Sequence, residues 1–144
     1  MHKIIKFIHL PAEEQNLFFK AVRIALWVRL LILLLPSHKL QKLMGMPHKE
    51  SLQAKEKTLE SIVIKIYRAM RRSSVYLPFR EKCLVDAIVA KKMLQKYNIE
   101  STLYLGVAKD GNKNLIAHAW LRYGNTIIVG KKGMGRFVQI EWYT

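Results

Sequence analysis

A chain of 144 residues, 51% of them hydrophobic, has room for one core and not for two comfortable ones. Its single cysteine, Cys83, excludes an internal disulfide and any C-x-x-C framework for zinc or redox exchange, and fits a reducing, cytoplasmic setting. The formal net charge of +15 predicts attraction to something anionic; without an aromatic stacking sheet or a helix-turn-helix pattern, nucleic acid is a weaker choice than an acidic protein or peptide or an acidic membrane surface.

Residues 1–10, MHKIIKFIHL, are basic and apolar, but Glu13 and Glu14 interrupt the run before it could form a signal-peptide core, and no small-residue cleavage site follows. Pro11 with that acidic pair is a helix start, because proline suits a first turn and carboxylates complement the positive helix end. The helix spans about residues 12–35. Its middle, AVRIALWVRLLILLL, approaches the character of a membrane span. Lys20, Arg23 and Arg29, however, do not share one face at 100° per residue, and each central arginine costs ~3 kcal/mol to insert. It reads as a helix buried nearly all round, or as one whose exposed apolar side docks a partner protein or the bilayer surface.

Pro36 ends that helix, and residues 37–49 read as a short amphipathic piece and a loop around Gly45 and Pro47. His38 and His48 have no cysteine or carboxylate at metal-ligand spacing and read as solvated, like His2 and His9. A second long helix covers about 51–72. Leu52, Leu59, Ile62, Ile66 and Met70 form its core stripe, and Lys65, Arg68 and Arg72 a solvated basic one able to meet an acidic peptide.

Pro78 bars a helix through its own position and turns Leu77 away from helical conformation, so a new helix begins near 80–82 with Cys83 in its first turn. There the unsatisfied N–H groups, with Arg80 and Lys82, favour the thiolate, the nucleophilic form of cysteine. Leu84, Val85, Ile88, Val89, Met93 and Leu94 supply the buried face, while Lys91, Lys92, Gln95 and Lys96 face water. Asp86 reads as a first-turn carboxylate favoured by the dipole, and Asn98, able to adopt a left-handed cap, ends the helix near Tyr97.

From Ser101 the hydrophobic period changes from 3.6 to 2. STLYLGVAK is a strand, Asp110-Gly111 a turn, and NLIAHAWLRY a strand with His118 and Trp120 on one face, so that the indole shields the imidazole. A turn at Gly124-Asn125, the strand TIIVG, the basic loop KKGMGR and a last strand FVQIEWYT complete the chain. The expected fold is α+β in one domain: a helical part over 1–72 packed on a core over 73–144 made of the cysteine-bearing helix and a small antiparallel sheet. Cysteine at a helix start followed by histidine on a later strand is the arrangement that thiol acyl transfer needs. Both are also ordinary core residues, so the pair alone does not establish an enzyme.

At these residues the sequence resembles the transglutaminase-like leader peptidases of lasso-peptide biosynthesis, in the short form without a leader-binding domain. The resemblance rests on the LPAEEQ start with its arginine-bearing apolar helix, and on YLPFREKCLVDAIVAKKML, STLYLGVAKD and AHAWLRYG. It implies a transglutaminase/papain-like core in which Cys83 is the nucleophile and His118 the general base and acid, with no cofactor and no metal. Asn98 stands where the family commonly has glycine, and Gly130 where members with a full triad carry an aspartate about twelve residues after the histidine.

Hairpin geometry accounts for that spacing. With the turn at Gly124-Asn125, residue 118 lies roughly opposite 130 and 131, where a carboxylate could reach the ring; Asn125, at the tip, would be about 20 Å away at ~3.3 Å per residue. A backbone carbonyl near Gly130, Gln139 and Glu141 remain as candidates to orient His118. The resemblance further implies that Cys83 attacks the carbonyl ending the leader, forms a thioester and releases the core peptide for a separate ATP-dependent cyclase. The Cys83 N–H would serve as one oxyanion donor. A separate leader-recognition protein would present the precursor, with the first helix and the basic stripe as docking surfaces and peripheral membrane contact through the first helix. The competing readings are an inactive homologue that binds a peptide or partner, and a basic membrane-surface or nucleic-acid-binding protein.

Overall fold

A computed structural model describes residues 9–53, 56–77 and 82–144 and has an α+β fold. In chain order it comprises α1 (Ala12–Leu34), α2 (Ser37–Met44), α3 (Lys57–Tyr76), α4 (Lys82–Gln95), β1 (Thr102–Lys109), β2 (Leu115–Tyr123), β3 (Thr126–Val129), a 3-10 turn (Met134–Arg136) and β4 (Val138–Tyr143). The basic run at 1–8, with His2, and the Pro78–Arg80 region expected to lead into the cysteine helix lie outside the described residues.

Helix α1 buries one stripe, Leu17, Ala21, Ala25 and Val28, at the spacing of one helical face. It is not buried all round: Leu26, Trp27, Leu30, Leu33 and Leu34 are exposed, because α3 and α4 cover only the alanine-bearing side. Among the described residues no helix is long and apolar enough to cross a membrane. Glu13 and Glu14 do more than complement the helix end. Lys65 Nζ lies 2.6 Å from the Glu13 carboxylate and Arg72 Nη1 2.7 Å from that of Glu14, so two members of the expected solvated stripe tie α3 to α1.

Helix α3 starts later than the sequence suggests, at Lys57, because Ser51 is tied to the first residue of β1. The Ser51 N–H and hydroxyl both lie 2.9 Å from Thr102 Oγ1. Leu52 is consequently 77% exposed and outside the core stripe, which Val63, Ile66, Ala69 and Met70 form. The helix runs on to Tyr76 and stops where Leu77 leaves helical conformation, at φ −116 and ψ 88, as the following proline requires.

Helix α4 lies between α1, α3 and the sheet and is buried on most of its circumference, from Val85 through Leu94. Lys91 is therefore buried rather than solvated, with Nζ donating to Ser101 O at 2.8 Å. Asn98 takes φ 55 and the Ile99 N–H returns to Leu94 O at 3.1 Å, the left-handed closure expected there.

The four strands are antiparallel in the order β3-β2-β1-β4. Gly106 faces His118 and Tyr104 faces Trp120 across β1 and β2. Their connection is longer than a two-residue turn. The Asp110 carboxylate accepts from the N–H groups of Asn112 and Asn114, and Lys113 takes φ 64. Between β2 and β3 the register shifts after Arg122↔Ile127 to Leu121↔Val129, leaving Ile128 as an extra residue. The core joins Val85, Ile88 and Val89 of α4 to Leu103, Ala119, Leu121 and Val129 of the sheet.

Candidate active site

Strand β2 emerges from the core at its fourth residue. Leu115 to His118 are exposed or half-buried, whereas Ala119 to Tyr123 are all buried. His118 thus sits at the boundary between packed interior and solvent. Cys83, half-buried, occupies the first turn of α4, where backbone N–H groups lack intrahelical acceptors. Both residues line one cavity of about 530 Å³, whose apolar wall includes Met70, Ile128 and Val129.

The histidine ring is fixed by one hydrogen bond and two aromatic neighbours. Nε2 lies 2.7 Å from Gly130 O. A carbonyl only accepts, so Nε2 carries the proton and donates, leaving Nδ1 as the basic nitrogen. Phe137 stacks at 4.9 Å between ring centroids and Trp120 at 6.1 Å. The indole is held in turn against Tyr104 at 5.9 Å, and Gly106 gives it room: a Cβ there would lie 2.7 Å from Trp120 Cη2. The shielding expected of Trp120 is present, while Phe137, on the residue just before β4, was not legible as a ring neighbour.

Position 130 does not offer the place for a carboxylate that an unbulged hairpin suggests. Gly130 has φ +76, and a Cβ there would stand 2.3 Å from Ala119 O and 2.9 Å from Trp120 Cα. The extra residue at Ile128 brings the β3 end hard against β2 backbone while its carbonyl faces the ring. Gly130 therefore orients the imidazole with its main chain. The other two candidates are placed elsewhere. Gln139 pairs with Gly106 across β1 from His118 and is exposed, with no hydrogen bond to the ring among the described residues, and the Glu141 carboxylate lies 3.1 Å from His48 Nε2. His48 makes that contact on the surface, and both it and His38 are exposed, as expected.

Asp86 also belongs to this cavity, one helical turn beyond Cys83. The first turn of α4 holds no acidic residue, so Asp86 lies just past the position expected of it; it is half-buried, and Ser74 Oγ donates to its Oδ2 at 2.8 Å. Burial raises its pKa above the ordinary carboxylate value, while the Ser74 hydrogen bond and the charges of Lys82 and Arg71 act against the rise. The i, i+3 relation to Cys83 was the available sequence signal. Among the described residues no group of three or more His, Cys, Asp or Glu is arranged to hold a metal ion.

The arrangement can present a thiol at a helix start to an imidazole of fixed tautomer beside a substrate-sized space. The sequence matches the family model described as the transglutaminase-like superfamily over residues 22–141, which takes in Cys83, His118 and Gly130. No curated protein and no solved structure matches. With well over half of its length covered by that match, and with an α+β fold that places a helix-borne cysteine and a strand-borne histidine in one cavity, the chain belongs to the transglutaminase-like superfamily.

Proposed function

We propose that the protein is a cysteine peptidase that removes the leader from a ribosomally made lasso-peptide precursor. The observation that carries this reading is the shared cavity of Cys83 and His118, with Nε2 committed to Gly130 O and Nδ1 left for the thiol proton. In the first step His118 Nδ1 takes the proton of Cys83 Sγ as the sulfur attacks the carbonyl that ends the leader. The Cys83 N–H, unsatisfied within its helix, is one donor for the oxyanion. The C–N bond then breaks, Nδ1–H protonates the leaving amine, and the core peptide departs with the leader held as a thioester. Water adds to the thioester, His118 accepts its proton and returns one to sulfur, and the leader acid is released.

A backbone carbonyl can do for this histidine what a side-chain carboxylate does elsewhere, which is to fix ring and tautomer. The Gly130 carbonyl therefore supports the catalytic reading against the inactive homologue. The reaction belongs in the reducing cytoplasm, where a lone thiol persists, and cyclisation of the freed core falls to a separate ATP-dependent enzyme. A separate leader-recognition protein presents the precursor. The apolar residues exposed along α1 support its docking there, and Arg23, exposed within that stripe, favours a carboxylate-bearing protein over lipid hydrocarbon.

Purified protein incubated with its precursor and recognition protein tests the proposal, with products followed by mass spectrometry. Wild type cleaves at one bond, Cys83→Ala does not, and His118→Ala is slower by ~10²–10⁴-fold. Cleavage that survives Cys83→Ala removes the nucleophile, and a wild type that never cleaves favours the binding-protein reading.

A further inference from the structure

Among the described residues, four cations line the cavity around Cys83 and His118: Arg71 from α3, Lys82 from α4, and Lys131 and Lys132 from the segment after β3. Asp86 is the one acid lining it among the described residues, and it is half-buried under the Ser74 hydroxyl. Other cations of the protein are engaged elsewhere, Lys65 and Arg72 with the α1 carboxylates and Arg122 with Glu50. The four at the cavity are exposed, and among the described residues none stands within salt-bridge distance of a carboxylate. Lys131 and Lys132 directly follow Gly130, so the segment that orients His118 also sets two of these charges beside it. An apolar wall of Met70, Ile128 and Val129 faces the same space, and low-dielectric walls strengthen the field of charges at a cleft.

We propose that this cavity selects an acidic peptide: an Asp or Glu within a few residues of the bond to be cut lies against these cations. The identity of the cut bond rests on the peptidase reading above; the preference for an anion beside Cys83 does not.

Alkylation of Cys83 separates the two. Iodoacetate and iodoacetamide react with the same thiolate and differ in charge, so the ratio of their rates cancels thiolate content and reports local potential. At low ionic strength the ratio at Cys83 exceeds that of a small free thiol by on the order of tenfold, and it falls as salt is added. The pair Lys131→Glu and Lys132→Glu abolishes the excess. Lys39→Glu with Lys109→Glu, an equal change in net charge on exposed lysines outside the cavity, largely retains it. A ratio no higher than that of the free thiol overturns the proposal, as does an equal loss in both double variants. A second measurement covers a thiol that reacts with neither reagent. Fluorescence anisotropy on the Cys83→Ala protein compares the precursor segment with its Glu/Asp→Gln/Asn counterpart, and equal affinity overturns the proposal. An elevated ratio in a protein that cleaves no precursor sustains the anion preference and removes only the peptidase reading.

Discussion

Helix α4 and strand β2 each carry polar residues at two places, and the fold treats the two places oppositely. Near their starts, Cys83, Asp86 and His118 line a solvent-reaching cavity. Eight residues further along α4 and four further along β2, about 12–13 Å in each case, Lys91 and Arg122 are buried. Arg122 donates through every nitrogen: Nε to Tyr104 Oη at 2.9 Å, Nη1 to Gly124 O, and Nη2 to Ser51 O, Thr102 Oγ1 and the Glu50 carboxylate. Lys91 reaches Ser101 O and, at 3.4 Å, Tyr143 O. These bonds converge where β1 begins, and they hold residues 50 and 51 against the sheet and tie the end of β4 to α4. His118 commits one nitrogen and keeps the other. Hydrogen-bonding capacity that is used up supports the fold, and capacity held back in a fixed orientation is what a substrate can use.

Substitutions at the closed end should change stability and leave chemistry alone. Arg122→Ala removes the buried donor that Tyr104 Oη, Ser51 O and Gly124 O share and costs roughly 3 kcal/mol in urea denaturation, with cleavage per folded molecule unchanged under the proposed function. An unaltered stability would erase the distinction between the two ends. Gly130 sits between the two cases, because its carbonyl holds the His118 ring and its backbone also closes against β2. Gly130→Ala forces a Cβ towards Ala119 O at positive φ, which destabilises by roughly 2 kcal/mol. It also moves the carbonyl from His118, so kcat falls further than the folded fraction does. A Gly130→Ala enzyme with full kcat would show that this carbonyl does not orient the ring.

The contrast also marks what the sequence could convey. Periodicity and proline placed the elements, so α1, α4 and all four strands fall within a few residues of expectation, and Cys83 and His118 reach one cavity. What failed to show depends on what packs against an element. Lys91 and Lys92 are indistinguishable as letters, and only the layer of α1, α3 and sheet around α4 decides that the first is buried and the second is not. A β-bulge has no sequence signature here, so the gap at Gly130 looked like a missing carboxylate. In three dimensions the glycine is what allows the backbone to close there. Phe137 was invisible for the same reason, since its place comes from the turn before β4, and the spacing of Asp86 from Cys83 could not show that Ser74 on α3 takes its carboxylate.

The smallest expected effect tests the closed end through pH. Burial lowers the Lys91 pKa from the ordinary 10.5 to about 8, because the ammonium loses hydration that two carbonyls only partly replace. The folded state thus binds this proton less tightly than the unfolded chain does. Below about pH 8 both states carry the charge and the folded one bears its desolvation. Between about 8 and 10.5 the folded state loses the proton first, and stability rises by this residue's share. Lys91→Met keeps the length of the side chain and removes that rise, at a cost near pH 7 of about 1 kcal/mol or less, since a buried charge replaced by an apolar side chain of similar volume is often close to neutral. Urea midpoints at pH 7 and pH 9.5 report the difference. Tyr104 and Tyr143, whose pKa values burial raises, are carried by both proteins and cancel from the comparison. If the variant gains as much between the two pH values as the wild type, the amine is hydrated in solution. The far end of α4 is then as open to water as the end that bears Cys83, and the opposition between the two fails at this residue.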